Sequence, residues 1–265
     1  MKFRFQRKYF SIPYVIFLSL FVLVPILLIV FYAFTDANGQ FSFDAARKFF
    51  SDTGNINVIL VSLFLAIQTT IICLLIGYPI AYFLADKKYN KNAVLILLFI
   101  MPMWINFVLR TTATRDILFA IGINGGNFPY LATSIGMVYN YLPFVILPLY
   151  TTMLKLDKSQ IEAAADLGAN PFQVFIHSIF PQSIPGVISA VTMTLVPVMS
   201  SYVISDTLSE GKITLFGSYI ELEFTNKAWN DGSFMALVML LFIGATMFIS
   251  QRFSGENKKE GNNKW

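Results

Sequence analysis

Six long apolar runs, separated by shorter polar segments, form the pattern of this chain. They occupy residues 9–35, 53–85, 92–109, 131–154, 183–205 and 232–251. A bilayer core about 30 Å thick needs about 20 helical residues to cross it, so each run predicts a membrane-spanning helix. The sequence therefore predicts an all-α integral membrane protein with six transmembrane helices.

The composition agrees with this class. Hydrophobic residues make up 56% and charged residues 13% of the 265 positions, and the mean hydropathy is +0.64, which is typical of membrane proteins. Pro102, Pro143 and Pro148 interrupt the third and fourth runs and predict bends there. No ionisable residue is expected at the centre of a helix, which argues against an enzyme embedded in the membrane.

The first run has two interpretations. A cleaved signal peptide would have an apolar region of roughly 7 to 15 residues followed by a small-residue cleavage site. This run is longer, and the sequence FYAFTDANGQ at its exit has no convincing site. An uncleaved membrane anchor is therefore the favoured interpretation.

Lysine and arginine placement predicts the orientation of the six helices. Thirteen of the 19 basic residues lie before the first run, between the second and third, between the fourth and fifth, or after the sixth. Basic residues are retained on the cytoplasmic side. The predicted organisation is a cytoplasmic N-terminus at 1–8, a transmembrane domain at 9–253 with a cytoplasmic loop at 155–182, and a cytoplasmic tail at 254–265.

The opposite side carries more acidic than basic residues. Such a surface would raise the local concentration of cationic solutes. The last segment on that side, 206–231, is predicted to lie as a helix at the membrane surface. The apolar residues that would face the lipid are Ile213, Leu215, Phe216, Tyr219, Ile220 and Phe224.

The polar segment 159–181 predicts two short helices joined by a glycine. Ser159, followed three residues later by Glu162, forms a capping-box pattern that places a helix start at Gln160. Gly168 is expected to end this helix, because glycine readily adopts the left-handed conformation that terminates helices. The first helix of the pair is therefore short and rich in small residues.

A second helix is predicted directly after this glycine. Asn170 is a typical N-cap and Pro171 a typical first helical residue, and Gln173 can complete the cap. Pro181 is expected to end this helix and to lead into the fifth run. Its apolar face is expected to consist of Phe172, Phe175, Ile176 and Ile179.

This segment resembles the EAA loop of ABC-importer permeases. The triplet EAA at 162–164 is followed by Gly168 and, thirteen residues later, by Pro181. Ser178 and Phe180 depart from the isoleucine and leucine that are common in the family. The resemblance implies a MetI-like permease fold whose cytoplasmic coupling helices sit in a groove of an ATPase. The implied docking residues are Glu162, Ala163, Ala164, Asp166, Gly168 and Pro181.

Three further segments, MPMWINFVLR at 101–110, YNYLPFVILPLY at 139–150 and SYVISDTLSEG at 201–211, resemble the B-type permease of spermidine/putrescine importers. The resemblance implies a transport subunit in the lipid of the bacterial cell membrane, rather than an enzyme. It also implies a heterodimer with a second permease, two ATPase subunits that bind ATP and Mg²⁺, and an extracytoplasmic polyamine-binding protein. This chain has no G-x-x-x-x-G-K-[ST] phosphate loop, and no cofactor of its own is expected.

Candidate substrate contacts lie in the same three segments. An ammonium about 4 Å from Asp206 would gain about 4 kcal/mol at an effective dielectric of 20, before desolvation. Each aromatic face could add roughly 0.5 to 2 kcal/mol by cation–π attraction. The predicted path residues are Trp104, Asn106, Tyr139, Tyr141, Tyr202, Ser205 and Asp206.

Other interpretations stay open at this point. An importer of iron, thiosulfate or an opine-like solute would share the EAA loop, and an ion-driven secondary carrier could also have six helices. No metal site is predicted, because His177 and Cys73 are single residues of their types. No feature predicts nucleic-acid binding, since basic cytoplasmic loops account for the pI near 9.0.

Overall fold

The computed structural model describes residues 11–36, 38–86 and 94–262, and this part of the chain is mainly helical. Two π turns, Ser19–Leu23 and Phe175–Ile179, and a 3-10 turn at Met101–Trp104 interrupt the α-helices. The α-helices are α1 (Ser11–Leu18), α2 (Val24–Ala33), α3 (Asp44–Ser51), α4 (Thr53–Ala85), α5 (Val94–Ile100), α6 (Phe107–Ala120), α7 (Pro129–Met153), α8 (Lys158–Asp166), α9 (Pro171–Val174), α10 (Phe180–Met199), α11 (Tyr202–Ser209), α12 (Phe216–Thr225) and α13 (Trp229–Asn262).

Five helical segments of the described chain are long and apolar enough to cross a membrane. They are Pro13–Ala33, Thr53–Ala85, Pro129–Met153, Pro171–Met199 and Trp229–Ser250. A sixth candidate is a bent pair, Val94–Trp104 with Phe107–Ala120, whose halves meet at 96°. The protein is a multi-pass membrane protein, and it has six crossings when the bent pair counts as one.

The third run was predicted to be one helix over 92–109, but the structure divides it into two halves. The 3-10 turn containing Pro102 ends the first half, and the side chain of Asn106 caps the second half by accepting hydrogen bonds from two backbone amides. The second half then continues to Ala120. The prediction was too short because charged Arg110 resembled the end of an apolar run, whereas the structure buries it.

The described chain forms two compact units, of which the larger contains 58–218 and 243–262. Its most enclosed span is α7, against which α10 and α11 pack. Gly136 and Gly186 permit this close approach: a Cβ at Gly136 would overlap Leu208, and one at Gly186 would overlap Thr152. Small residues at such contacts are typical of helices packed within membranes.

The smaller unit contains the described residues up to 57 together with 219–242. Phe234 joins its helices through edge-to-face contacts with Phe34, Phe49 and Phe50, at centroid distances of 5.4 to 6.3 Å. The Asn230 amide donates hydrogen bonds to carbonyls at the end of α2. No side chain between 13 and 32 is buried, which suits a helix whose surroundings are lipid.

The fifth run also differs from its predicted bounds of 183–205. The helical span begins at Pro171, passes through the π turn and ends at Met199. Pro181 does not end a helix, because it is the second residue of α10, in the first turn after the π turn, where a proline is tolerated. At the other end, Ser200 and Ser201 break the helix before α11 begins.

The segment 206–231 does not form one helix at the membrane surface. It contains the end of α11, a turn, α12 and the start of α13. Ile213, Leu215 and Phe216 are buried within the protein rather than exposed to lipid. The amide of Phe216 donates a hydrogen bond to Ser62 Oγ over 2.8 Å, which fixes this turn on α4.

Candidate coupling and transport site

The first half of the EAA-like segment is a short helix, α8, with no buried residue. Its N-cap is Asp157, whose carboxylate accepts hydrogen bonds from the amide and hydroxyl of Ser159. The hydroxyl hydrogen bond is the main cause that lowers the pKa of Asp157. The predicted capping box of Ser159 and Glu162 is therefore wrong, because the helix begins at Lys158 and Asp157 takes the capping position.

Gly168 ends this segment as predicted. Its φ is +84°, in the left-handed region, and its amide donates to the Ala165 carbonyl over 2.9 Å. The next amide, of Ala169, reaches back to the Ala164 carbonyl. A Cβ at Gly168 would meet nothing within 4 Å, so the backbone conformation, not space, is the reason for glycine here.

The second half begins with the predicted cap. Asn170 Oδ1 accepts from the Gln173 amide, and Gln173 Oε1 accepts from the Asn170 amide, each over 2.9 Å. Pro171 is the first residue of α9. The capping box at this second helix start is confirmed.

The predicted apolar face of the second helix is only partly buried. Ile179 is buried, but Phe172 is 69% and Ile176 41% exposed. Val174 and Ser178 occupy the buried side instead. The face is displaced because the π turn changes the helical register after Val174.

Phe172 and Leu167 are exposed apolar side chains on either side of Gly168 along the chain, and we call these two residues the elbow surface. The Leu167 side chain is 89% exposed. Sequence reasoning missed Leu167, although a leucine next to a helix-ending glycine in a polar loop is a usable signal. The predicted docking residues Glu162, Ala163, Asp166, Gly168 and Pro181 are also exposed, and Ala164 is half-buried.

The predicted path residues fall into two groups. Trp104, Tyr139, Tyr202 and Asp206 are exposed. Tyr141 and Ser205 are buried instead. The Tyr141 hydroxyl donates to the Pro197 carbonyl, and the Ser205 hydroxyl bonds to carbonyls of its own helix. Asn106 caps α6, so three of the seven residues already have structural partners.

Arg110 is a buried cation that sequence reasoning missed. The residue is 6% exposed, and its guanidinium donates to the Pro102 carbonyl and to Asn140 Oδ1, each over 2.7 Å. Asn140 in turn donates to the Gly136 carbonyl. Arg110 lies in the first turn of α6, next to the bend of the span, and these acceptors satisfy its charge there.

The same guanidinium lies 5.9 Å from the centroid of the Tyr139 ring and 5.8 Å from that of Phe107. Tyr139 thus has a cation beside its ring already, which reduces its value as a site for a second cation. The signal available in the sequence was an arginine that directly follows an apolar stretch and has no acidic residue close to it along the chain.

Comparison with known proteins assigns the chain to a family. No family model matches it. The spermidine/putrescine transport permease PotB of Haemophilus influenzae is 32% identical over 255 residues, which cover 89% of each chain. This chain belongs to the PotB permease family. The PotB of Escherichia coli is 31% identical and aligns over 89% of this permease and 94% of its own length.

Solved structures support the fold of this permease. A chain of a bacterial alginate ABC importer superposes with a TM-score of 0.64 at 17% identity and covers 92% of the permease and 94% of its own length. A second alginate importer structure gives a TM-score of 0.68 at 14% identity. It covers 93% of the permease and 94% of its own length. The expected fold, an all-helical ABC-importer permease, is confirmed.

Among the described residues of the permease, no group of three histidine, cysteine, aspartate or glutamate side chains is placed to hold a metal ion. The relatives are named as transport permeases, and this chain is accordingly a transport subunit.

Proposed function

We propose that this permease forms half of the translocation path of an ATP-driven polyamine importer, with spermidine or putrescine as its solute. The single observation that carries the proposal is the similarity to permeases of spermidine/putrescine transport over 89% of the chain. The path residues support it by their chemistry, since exposed aromatic rings and the Asp206 carboxylate suit a flexible cation.

The proposed assembly contains a second, related permease subunit and two cytoplasmic ATPase subunits. ATP and Mg²⁺ would be bound by the ATPase subunits. An extracytoplasmic binding protein would deliver the polyamine. One alginate importer of the same fold was solved with its substrate-bound periplasmic protein, which supports a delivery partner of this kind. The distribution of basic residues favours a cytoplasmic position for both termini and for the loop 155–182.

The elbow surface would be the contact with the ATPase. Exposed apolar side chains are unfavourable in water, and Leu167 and Phe172 project from a polar segment that the rest of the described chain leaves uncovered. α8 has no buried residue, so Glu162 and Ala163 can enter a groove without rearrangement. Movement of the ATPase would then reach α10 through the helical connection from Pro171 to Met199.

Asp206→Asn is expected to reduce the rate of spermidine uptake about fivefold or more, because a carboxylate that attracts an ammonium becomes neutral. The Asp206 side chain is exposed at α11, so the substitution removes charge without disturbing packing. The measurement is uptake of radiolabelled spermidine at equal permease levels. Glu210→Gln is the matched control, since it removes a nearby exposed carboxylate, and unchanged uptake by Asp206→Asn would exclude Asp206 from the path.

Reconstitution of the four-subunit complex with its binding protein tests the function. Spermidine or putrescine is expected to stimulate ATP hydrolysis and to enter proteoliposomes in proportion to ATP consumed. If iron, thiosulfate or an opine stimulates ATP hydrolysis instead, that solute and not a polyamine is the one transported. Uptake by the permease alone, driven by a proton or sodium gradient, would establish a secondary carrier and refute the proposal.

A further inference from the structure

A cluster of charged side chains surrounds a small cavity in the smaller unit. Lys48 of α3 forms an ion pair with Asp231 of α13. Asp52, Tyr219 and Glu223 line the same cavity, whose volume is about 30 Å³. The cavity is therefore about large enough for one water-sized group.

The cluster has more negative than positive charge. Lys48 is the single lysine or arginine lining the cavity, whereas Asp52, Glu223 and Asp231 are carboxylates. The hydrogen bond to Asp231 is the main cause that raises the pKa of Lys48, with further attraction from Glu223. The Lys48 side chain is 70% exposed and that of Asp231 21%, so the lysine reaches into the cluster from solvent and can leave it.

Asn55 adds an observation that is independent of these charges. The residue is 3% exposed, and its Nδ2 donates to the Phe49 carbonyl over 3.1 Å. Asn55 lines the cavity, and its Oδ1 is buried without a hydrogen-bond partner among the described residues. Buried carbonyl oxygens normally have a donor, so this atom points to a ligand that supplies an N–H or O–H group.

A primary ammonium fits these requirements. It carries positive charge and three N–H donors, and its head group is small enough to fit the cavity. A metal ion fits less well, since no three potential ligating side chains in the described part of the chain come close enough together. The Lys48 ammonium shows the chemistry directly, because it already binds Asp231 in this cluster.

We propose that this cluster is a binding subsite for the terminal ammonium of an extracytoplasmic amine, and that Lys48 is its exchangeable resting occupant. The identification of the amine as a polyamine rests on the proposed function. The incoming ammonium replaces Lys48 at Asp231 and donates a second hydrogen bond to Asn55 Oδ1. Glu223 supplies attraction, while the remaining amine chain stays outside the cavity.

Asp52 keeps its own hydrogen bond during this exchange. Its Oδ1 accepts a hydrogen bond from the Gly54 amide over 2.8 Å at the start of α4, independently of Lys48. Departure of the lysine therefore leaves one carboxylate fixed. This carboxylate is thus already ordered before an amine binds, which lowers the ordering needed on binding.

Equilibrium dialysis of radiolabelled spermidine against the complete complex in nanodiscs, without binding protein, tests the proposal. Lys48→Met is expected to tighten binding about fivefold, because the competing ammonium is gone, and Glu223→Gln to weaken it about fivefold. Two matched controls remove one exposed charge each from the same helices. Arg47→Met and Glu221→Gln are expected to change binding by less than about twofold.

The opposite direction of the two effects distinguishes an exchange site from a structural ion pair. Weaker binding in both Lys48→Met and Glu223→Gln would overturn the proposal, as would changes equal to those of the controls. Dialysis of n-propylammonium in parallel separates the subsite from the transported solute. Suppose that spermidine is not imported, but that propylammonium binds more tightly to Lys48→Met and more weakly to Glu223→Gln. The subsite then stands and the proposed function fails. If spermidine is imported and neither variant alters binding, the function stands and the subsite fails.

Discussion

Gly168→Val is expected to leave the complex assembled while uncoupling ATP hydrolysis from spermidine uptake. A side chain at φ +84° is strained by roughly 1–2 kcal/mol, which corresponds to a roughly tenfold shift between local conformations. Space is not limiting, since a Cβ meets nothing within 4 Å. The strain is relieved by turning α8 against α9, which would misplace the elbow surface. Uptake per ATP hydrolysed, measured in proteoliposomes, should fall about tenfold.

Gly122→Val is a closely matched control for this result. Gly122 follows the end of α6 with a φ of +85°, and a Cβ there also meets nothing within 4 Å. Its amide donates to the Phe119 carbonyl, and the next amide donates to the Leu118 carbonyl, in the same pattern as at Gly168. The two variants carry the same backbone strain at different places. A special role of the elbow surface would be contradicted in two cases. Uptake per ATP hydrolysed could fall equally in the two variants, or a stable Gly168→Val complex could show normal uptake.

Arg110→Leu is expected to destabilise the permease by about 1–3 kcal/mol, the range found when a buried polar group is left without its hydrogen-bond partner. The substitution leaves Asn140 Oδ1 without its guanidinium donor and removes the hydrogen bond to the Pro102 carbonyl. The measurement can use Cys73, the single cysteine of the sequence, which is fully buried. Its alkylation on heating the complex, quantified by mass spectrometry, reports opening of the larger unit.

Two comparisons separate the network from a general effect of charge. Arg115 is exposed and paired with its neighbour Asp116, so Arg115→Leu should change stability by less than about 1 kcal/mol. Replacing both Arg110 and Asn140 by leucine should be less harmful than Arg110→Leu alone, because the Asn140 acceptor is then no longer left unpaired. If Cys73 of Arg110→Leu is alkylated at the same temperature as in the wild type, the guanidinium does not stabilise the bend.

Membrane spans were predictable where one apolar run corresponds to one helix. The predicted second run, 53–85, has the same bounds as α4, because polar residues flank a continuous apolar stretch. The third and fifth runs were less accurate. In each, a proline in the sequence indicates a boundary or a simple bend, whereas the backbone uses a 3-10 turn at Pro102 and a π turn before Pro181.

The candidate site was predictable in its local chemistry but not in its exposed faces. Gly168 and the cap at Asn170 follow from the conformational preferences of single residues, and both were correct. The start of α8 was missed because Ser159 and Asp157 are both good caps, and sequence alone does not choose between them. Arg110 was missed because its acceptors are the Pro102 carbonyl across the bend and Asn140 of α7, which only the fold brings together.

The helical path from Pro171 to Met199, which continues through the π turn, makes the loop and the fifth span one mechanical lever. At 1.5 Å per residue, its 29 residues extend about 44 Å. A displacement of the loop by an ATPase, as proposed, would be carried along this length to Ser200 and Ser201, where the helix ends. Gly217 is packed directly against the Ser200 carbonyl there. The far end of the lever is thus in contact with the start of α12, so the proposed movement at the elbow surface would be passed on to α12.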